Sequence, residues 1–165
     1  MKDSAAKWIT ASWRIVRVVF VVALVLWCVL HLRSLDRQFG FALPNWGRIP
    51  GLLMIAAGGG MVVWCGGILA NVGIFESPGS RMFPRDLVVI GPFRYIRNPM
   101  SFGATALFAG VGLWLRSISI LLFSAILFLI FHCVAVRVEE PGLEKRFGNS
   151  YVVYKRTVER WIPRL

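Results

Sequence analysis

The chain has 165 residues, 57% of them hydrophobic and only 16% charged, with a mean hydropathy of +0.67. A soluble domain of this length cannot bury so much apolar surface, because small domains cover only part of what the unfolded chain exposes. Lipid is therefore the expected solvent, and the length suits a single helical domain over residues 1–165 with no separate soluble part. The formal net charge of +11 would raise the question of nucleic acid in a soluble protein. Here Lys and Arg fall between apolar runs and in the tail, where they set orientation and meet anionic headgroups, so membrane lipids and no nucleic acid are the expected partners. Cys28, Cys65 and Cys133 lie in three different apolar runs with no CxxC or metal-ligand spacing. They read as buried small hydrophobes, and no metal site is expected.

In chain order, the first apolar run covers 15–32 and is led by Lys2, Lys7 and Arg14, with Arg17 near its start. It resembles a signal peptide in its basic lead, but it is long and ends in His31-Leu32-Arg33 without a cleavage site, which predicts a retained helix. The second run, 51–70, has no charge, spans a bilayer by length, and carries Gly51, Gly58, Gly59, Gly60, Gly66 and Gly67. Such residues let a second helix or a ligand approach the backbone. A polar loop, 71–100, follows. Its Gly91-Pro92 marks a turn, and Asn98-Pro99 forces an extended residue just before a helix start. Free N–H groups there, beside Arg94 and Arg97, suit a carboxylate or phosphate, or simply lipid headgroups.

The third run, 101–115, is short. Arg116-Ser117 turns the chain, and the fourth run, 118–136, completes a helical hairpin. At its end stand His132, Arg137, Glu139, Glu140 and Pro141. Adjacent carboxylates at a membrane boundary need water, a cation or a ligand, and either could also pair with Arg137 or a loop arginine. In the tail, 137–165, Phe147, Tyr151, Tyr154 and Val158 recur at helical spacing, which predicts an amphipathic helix lying on the bilayer surface. The expected fold is all-α: an integral membrane bundle of about four transmembrane helices with a cytoplasmic loop and a C-terminal interfacial helix.

Together the motifs resemble the superfamily of isoprenylcysteine carboxyl methyltransferases and phosphatidylethanolamine N-methyltransferases. Three segments carry the likeness: Gly91-Pro92-Phe93-Arg94-Tyr95-Ile96-Arg97-Asn98-Pro99-Met100, Glu139-Glu140-Pro141 with Leu143, and Phe147-Gly148, Tyr151, Tyr154, Arg160 and Pro163. The resemblance implies S-adenosylmethionine as cofactor. It assigns Gly58, Gly60, Tyr95, Arg97, Asn98, Pro99, Glu139, Glu140, Tyr151 and Tyr154 to cofactor binding, and Arg97, Asn98, Glu140 and Arg160 to the reaction. Arg94, Arg97 or Arg160 would orient an acidic acceptor headgroup. The acceptor is expected to be lipophilic and to enter from the bilayer: a prenylcysteine-like carboxylate or a phospholipid-like amine. Two positions depart from the pattern: Asn98 stands where carboxyl methyltransferases carry His, and Ser101 where Tyr is usual. Sterol reductases that use NADPH share a similar tail, but their loop differs from Arg97-Asn98-Pro99-Met100; a non-catalytic relative is the third reading.

The basic residues Lys2, Lys7, Arg14, Arg17, Arg81, Arg85, Arg94, Arg97 and those from Arg137 onward share one side of a four-span topology, against Arg33, Arg37, Arg48 and Arg116 on the other. A multi-pass protein with both termini cytoplasmic follows from the positive-inside rule, with a bacterial inner membrane as the expected location. Reporter fusions at Met1 and Leu165 are expected to be cytoplasmic; a signal from the opposite compartment at Leu165 overturns the shared face.

Overall fold

A computed structural model of the chain describes residues 23, 25–40, 43–71 and 87–163. The start of the first apolar run, its basic lead, Arg81, Arg85 and Arg164 lie outside these residues. Residues 25–39 form helix α1. It does not end at Arg33 as the hydropathy implied but carries on for a further polar turn and a half. The reason is Asp36, which is buried and accepts hydrogen bonds from the Ser117 and Ser119 hydroxyls and from the Ser119 backbone N–H at 3.0 Å.

After a short 3-10 turn at Asn45–Gly47, α2 runs over Arg48–Asn71 and α3 over Pro99–Leu115. The two helices are antiparallel and meet at two glycine–glycine crossings. A Cβ on Gly58 would stand 2.5 Å from the Gly103 carbonyl oxygen, and one on Gly51 would stand 2.8 Å from that of Gly110. The seven-residue spacing within each helix puts both crossings on one face, so the backbones touch where larger residues would hold them apart. Gly60, Gly66 and Gly67 face open space.

Arg116 closes α3 in the left-handed conformation (φ 60°), and the Ser117 side chain accepts from the Ile120 N–H to cap α4, Ile118–Val134. The turn expected at Arg116-Ser117 is thus present, and Ser124 donates to the Thr105 carbonyl to tie α4 to α3. The polypeptide stays helical beyond α4 through a π-helical turn at Ala135–Glu139, α5 at Glu140–Phe147 and, after Gly148 (φ 53°), α6 at Asn149–Thr157.

The tail does not lie free on the surface. Tyr151, Tyr154 and Val158 form a buried cluster with Leu87, Leu143 and Phe147. The aromatic stripe read as an interfacial anchor therefore faces protein. It packs on the segment before α3, which is stitched to the chain after α6: the N–H groups of Arg97 and Asn98 donate to the Glu159 and Arg160 carbonyls at 2.8 and 3.3 Å. Cys65 is buried, Cys28 half-buried and Cys133 exposed on α4, so the reading of three buried cysteines holds in full for Cys65 alone.

Among the described residues the structure is helical with no extended strand, an all-α fold. Asn45–Asn71 and Ile118–Phe147 are long and apolar enough to cross a bilayer, and only 11% and 17% of their most apolar windows are buried inside the protein. Such exposure is unlike that of a core helix in a soluble domain, which is mostly buried, and fits lipid contact. At 17 residues, α3 reaches about 25 Å, less than the ~30 Å hydrocarbon core.

The glycine crossings generate a test. Gly58→Ala and Gly110→Ala are expected to lower the thermal stability of detergent-purified protein by about 1–3 kcal/mol, since overpacking pushes backbones apart. Gly60→Ala and Gly67→Ala should be neutral or slightly stabilising. Equal effects at all four positions would remove the packing account.

Candidate active site at the end of the helices

The loop–tail junction brings three distant segments to one place. Pro92 and the Gly91–Arg94 3-10 turn bend the chain so that Arg97 and Asn98 face inward ahead of α3. The π turn brings Glu139 and Glu140 to the same level, and α6 with the residues after it supplies Tyr151, Tyr154 and Arg160. Glu140, 5% exposed, is the hub. Its Oε1 accepts from Arg97 Nη1 at 2.8 Å and Arg160 Nε at 2.6 Å, and its Oε2 accepts from Arg160 Nη2 at 3.1 Å with Lys155 Nζ 3.6 Å away. The Tyr154 hydroxyl donates to the Phe93 carbonyl at 2.6 Å, and this contact holds the loop from its other side.

Beside this hub lies a cavity of about 240 Å³. Its walls are apolar: Leu69, Leu87, Val88, Phe93, Val134, Val138 and Leu143. Its polar groups come from Arg97, Asn98, Ser101, Glu139, Glu140, Tyr151 and Tyr154. Two buried donors, Arg97 Nε and Asn98 Nδ2, have no hydrogen-bond partner among the described residues. Asn98 occupies the N-cap position of α3, but its side chain makes no capping bond. Its amide is left at the cavity wall, where a ligand oxygen would satisfy it. Glu139 is half-buried and makes no hydrogen bond or ion pair among the described residues.

Of the residues assigned from sequence, Arg97, Asn98, Pro99, Glu139, Glu140, Tyr151 and Tyr154 line this cavity, and Arg160 reaches it through Glu140. Three do not. Gly58 is pressed against α3, Gly60 lies on the open side of α2, and Tyr95 is 64% exposed. At Gly58 the close approach that a glycine permits is made by a helix, and at Gly60 nothing comes near. His132 is also diverted, its Nδ1 accepting from Trp161 Nε1 at 3.1 Å. Lys155 was not foreseen; its place one residue after Tyr154 on an amphipathic helix was the available signal. Arg97 and Arg160 are engaged by Glu140, so the pairing of one glutamate with a loop arginine is realised there.

The two glutamates titrate in opposite directions. Burial pushes Glu140 up, but the hydrogen bond from Arg160 and the charges of Arg97, Arg160 and Lys155 outweigh it and hold the carboxyl below the usual glutamate range. Burial, reinforced by the charge of Glu140, pushes Glu139 above that range. A depressed carboxyl adds stability that is present above its unfolded value, about 4.3, and is lost as pH falls through the folded value beneath it. A raised carboxyl does the reverse: stability is gained as pH falls through its folded value. Unfolding temperature is therefore expected to rise slightly as pH falls from neutral and to drop below about pH 4.3. Thermal unfolding of Glu139→Gln should lack the rise, and that of Glu140→Gln should lack the part of the acid drop due to Glu140.

The model of the phospholipid methyltransferase family matches residues 46–150, well over half of the chain. The match takes in α2, α3, α4, the π turn and α5, with both glutamates and the loop arginine, and stops just short of Tyr151, Tyr154 and Arg160. No curated protein and no solved structure matches the chain. With the membrane-length helices and the cavity at their end, the matched span shows that the chain belongs to the phospholipid methyltransferase family.

Proposed function

We propose that this protein is an S-adenosylmethionine-dependent methyltransferase, one domain over residues 1–165, acting on a lipophilic acceptor from the bilayer. It is read as a multi-pass membrane protein of about four spans with cytoplasmic termini. The observation that carries the reading is the cavity beside Glu140, with apolar walls and, among the described residues, an unpaired carboxylate at Glu139 and two unpartnered donors at Arg97 and Asn98. That donor and acceptor set fits a ligand with a cationic part, hydroxyls and a carboxylate. When bound, S-adenosylmethionine supplies a methyl group on a positively charged sulfur.

The residues contribute placement rather than acid–base work. Methyl transfer is an in-line displacement that needs alignment and the exclusion of water. Leu69, Leu87, Val88, Val134 and Val138 keep the cavity dry, while Asn98 Nδ2 and Arg97 Nε hold oxygen atoms in place. Glu139 offers a negative charge to the cationic part. A carboxylate acceptor, or a neutral amine, attacks without a general base. Among the described residues the cavity lining holds no Ser–His or Cys–His pair, which suits that chemistry.

Radiolabelled S-adenosylmethionine is expected to bind the detergent-purified protein. On addition of a total lipid extract, its labelled methyl group should appear in organic-extractable material. NADPH, tested in parallel, should not bind. Tight NADPH binding without S-adenosylmethionine binding would replace this reading with a reductase, and equally efficient labelling of a water-soluble acceptor would sink the lipophilic one.

A further inference from the structure

After α6 the chain becomes extended at Val158 (φ −120°, ψ 126°) and runs back onto α4. Arg160 sends its guanidinium to the Glu140 carboxylate. Trp161, the next residue, packs lower down: its ring lies 4.9 Å from that of Phe128, and its Nε1–H donates to His132 Nδ1 at 3.1 Å. Phe128 and His132 are four residues apart and share one face of α4. Val134, which lines the cavity, lies two residues from His132 and therefore on the opposite side of the helix. Trp161 thus grips α4 from the side away from the cavity.

The depth of this contact follows from the sequence. Residues 117–136, between Arg116 and Arg137, hold no Asp, Glu, Lys or Arg. At 1.5 Å per residue they cover about 30 Å, the thickness of a hydrocarbon core. His132 and Phe128 then lie about 7 and 13 Å on the membrane side of Arg137. Trp161 is carried to that depth, and Ile162, which follows it, is 76% exposed. Arg160 reaches the other way, toward Glu140 beyond Arg137, as a long cationic side chain does at an interface. An irregular segment entering the bilayer strands its polar groups unless they find partners. Here the Trp161 donor and the His132 acceptor satisfy each other, and the Glu159 and Arg160 carbonyls accept from the Arg97 and Asn98 N–H groups. His132, a polar ring in an otherwise apolar run, gains its partner in the same contact.

We propose that residues 160–163 form a strap seated in the bilayer: His132 holds Trp161 below the level of Arg137, and Ile162 inserts among the lipid acyl chains beside α4. The occupant of this surface is lipid, because it continues the face of a membrane-length helix of which only 17% of the most apolar window is buried. The seat also fixes the level of the loop–tail junction, since the carbonyls that receive Arg97 and Asn98 immediately precede Trp161. None of this depends on which ligand the cavity takes.

Tryptophan fluorescence in nanodiscs tests the seating, with phosphatidylcholine brominated on its acyl chains as the lipid quencher and acrylamide as the aqueous one. The chain has seven tryptophans, so the share of Trp161 is the emission lost in Trp161→Phe. That share is expected to lose most of its intensity to brominated lipid and little to acrylamide. Ile162→Trp, which leaves Trp161 and its seat intact, should add emission with the same preference, and it serves if Trp161→Phe does not fold. A Trp161 share, or an added Ile162→Trp emission, that stays bright in brominated lipid overturns the seating. The subtraction is then repeated in two variants of the seat. His132→Leu, which removes the acceptor, should cut the bromine quenching and raise that by acrylamide, whereas His132→Asn, which keeps an acceptor near Nδ1, should retain the wild-type pattern. Unchanged quenching in His132→Leu, or equal loss in both variants, overturns the hydrogen bond as the hold on Trp161.

Discussion

Glu140 is where three parts of the chain that are distant in sequence meet, and the cavity has its shape because they do. Arg97 comes from the segment before α3, Arg160 from the chain after α6, and the carboxylate itself from the end of the long helix that begins at Ile118. Two arginines on one buried carboxylate, one of them through a two-point fork, give geometry as well as attraction. The gain in net stability from such a cluster is small, because desolvation of the ions offsets much of their attraction. Its removal is another matter: taking away one partner of a buried ion pair strands the other and costs about 3–5 kcal/mol. The cluster therefore specifies one arrangement of loop and tail over others more than it adds to overall stability.

The opposite end of the bundle is held by different means, and the contrast shows what lipid does to the choice of interactions. Between α2 and α3 there is no hydrophobic driving force, since the surrounding lipid is as apolar as a leucine face. Close backbone contact at Gly51–Gly110 and Gly58–Gly103 takes its place. At the far turn, Asp36 ties α1 to the start of α4 through Ser117 and Ser119, and it satisfies N-terminal groups that hydrocarbon would leave unpaired. Polar capping below, glycine contact through the middle and an ion cluster above hold the ends of α3 and α4 in register. That register sets the width of the cavity.

Much of this was legible in the sequence because the signals are local. Uncharged runs of bilayer length, Pro99 at a helix start and Arg116-Ser117 between two apolar runs all act over a few residues, and each is found where the spacing placed it. Arg97, Asn98, Glu139, Glu140, Tyr151 and Tyr154 were also drawn to one site by their motifs. The rest was hidden because it depends on partners far along the chain. A glycine-rich helix announces close approach but not what approaches, so Gly58 was given to a ligand and belongs to α3. An aromatic stripe with a basic face reads the same whether it meets lipid or protein, so the burial of Tyr151 and Tyr154 had to come from the structure. Nor does hydropathy reveal a π turn, on which the different surroundings of the two glutamates depend.

Those surroundings bear on why Glu139, a half-buried carboxylate, has no cation among the described residues. An unpaired charge in an apolar setting is costly, and nothing in the packing of α4 or α5 requires an acid at position 139: a leucine would continue the wall formed by Val134, Val138 and Leu143. The same holds for Arg97 Nε and Asn98 Nδ2, buried donors that an isosteric apolar side chain would make unnecessary. Local violations of the rules of burial are tolerated where the rest of the structure over-determines the site, and they concentrate where a ligand completes what the protein leaves open. Here the violations lie together in one cavity, next to an ion cluster satisfied on every side. The Glu140 cluster holds this wall in place, so that Glu139, Arg97 Nε and Asn98 Nδ2, which have no partner among the described residues, keep fixed positions around the cavity.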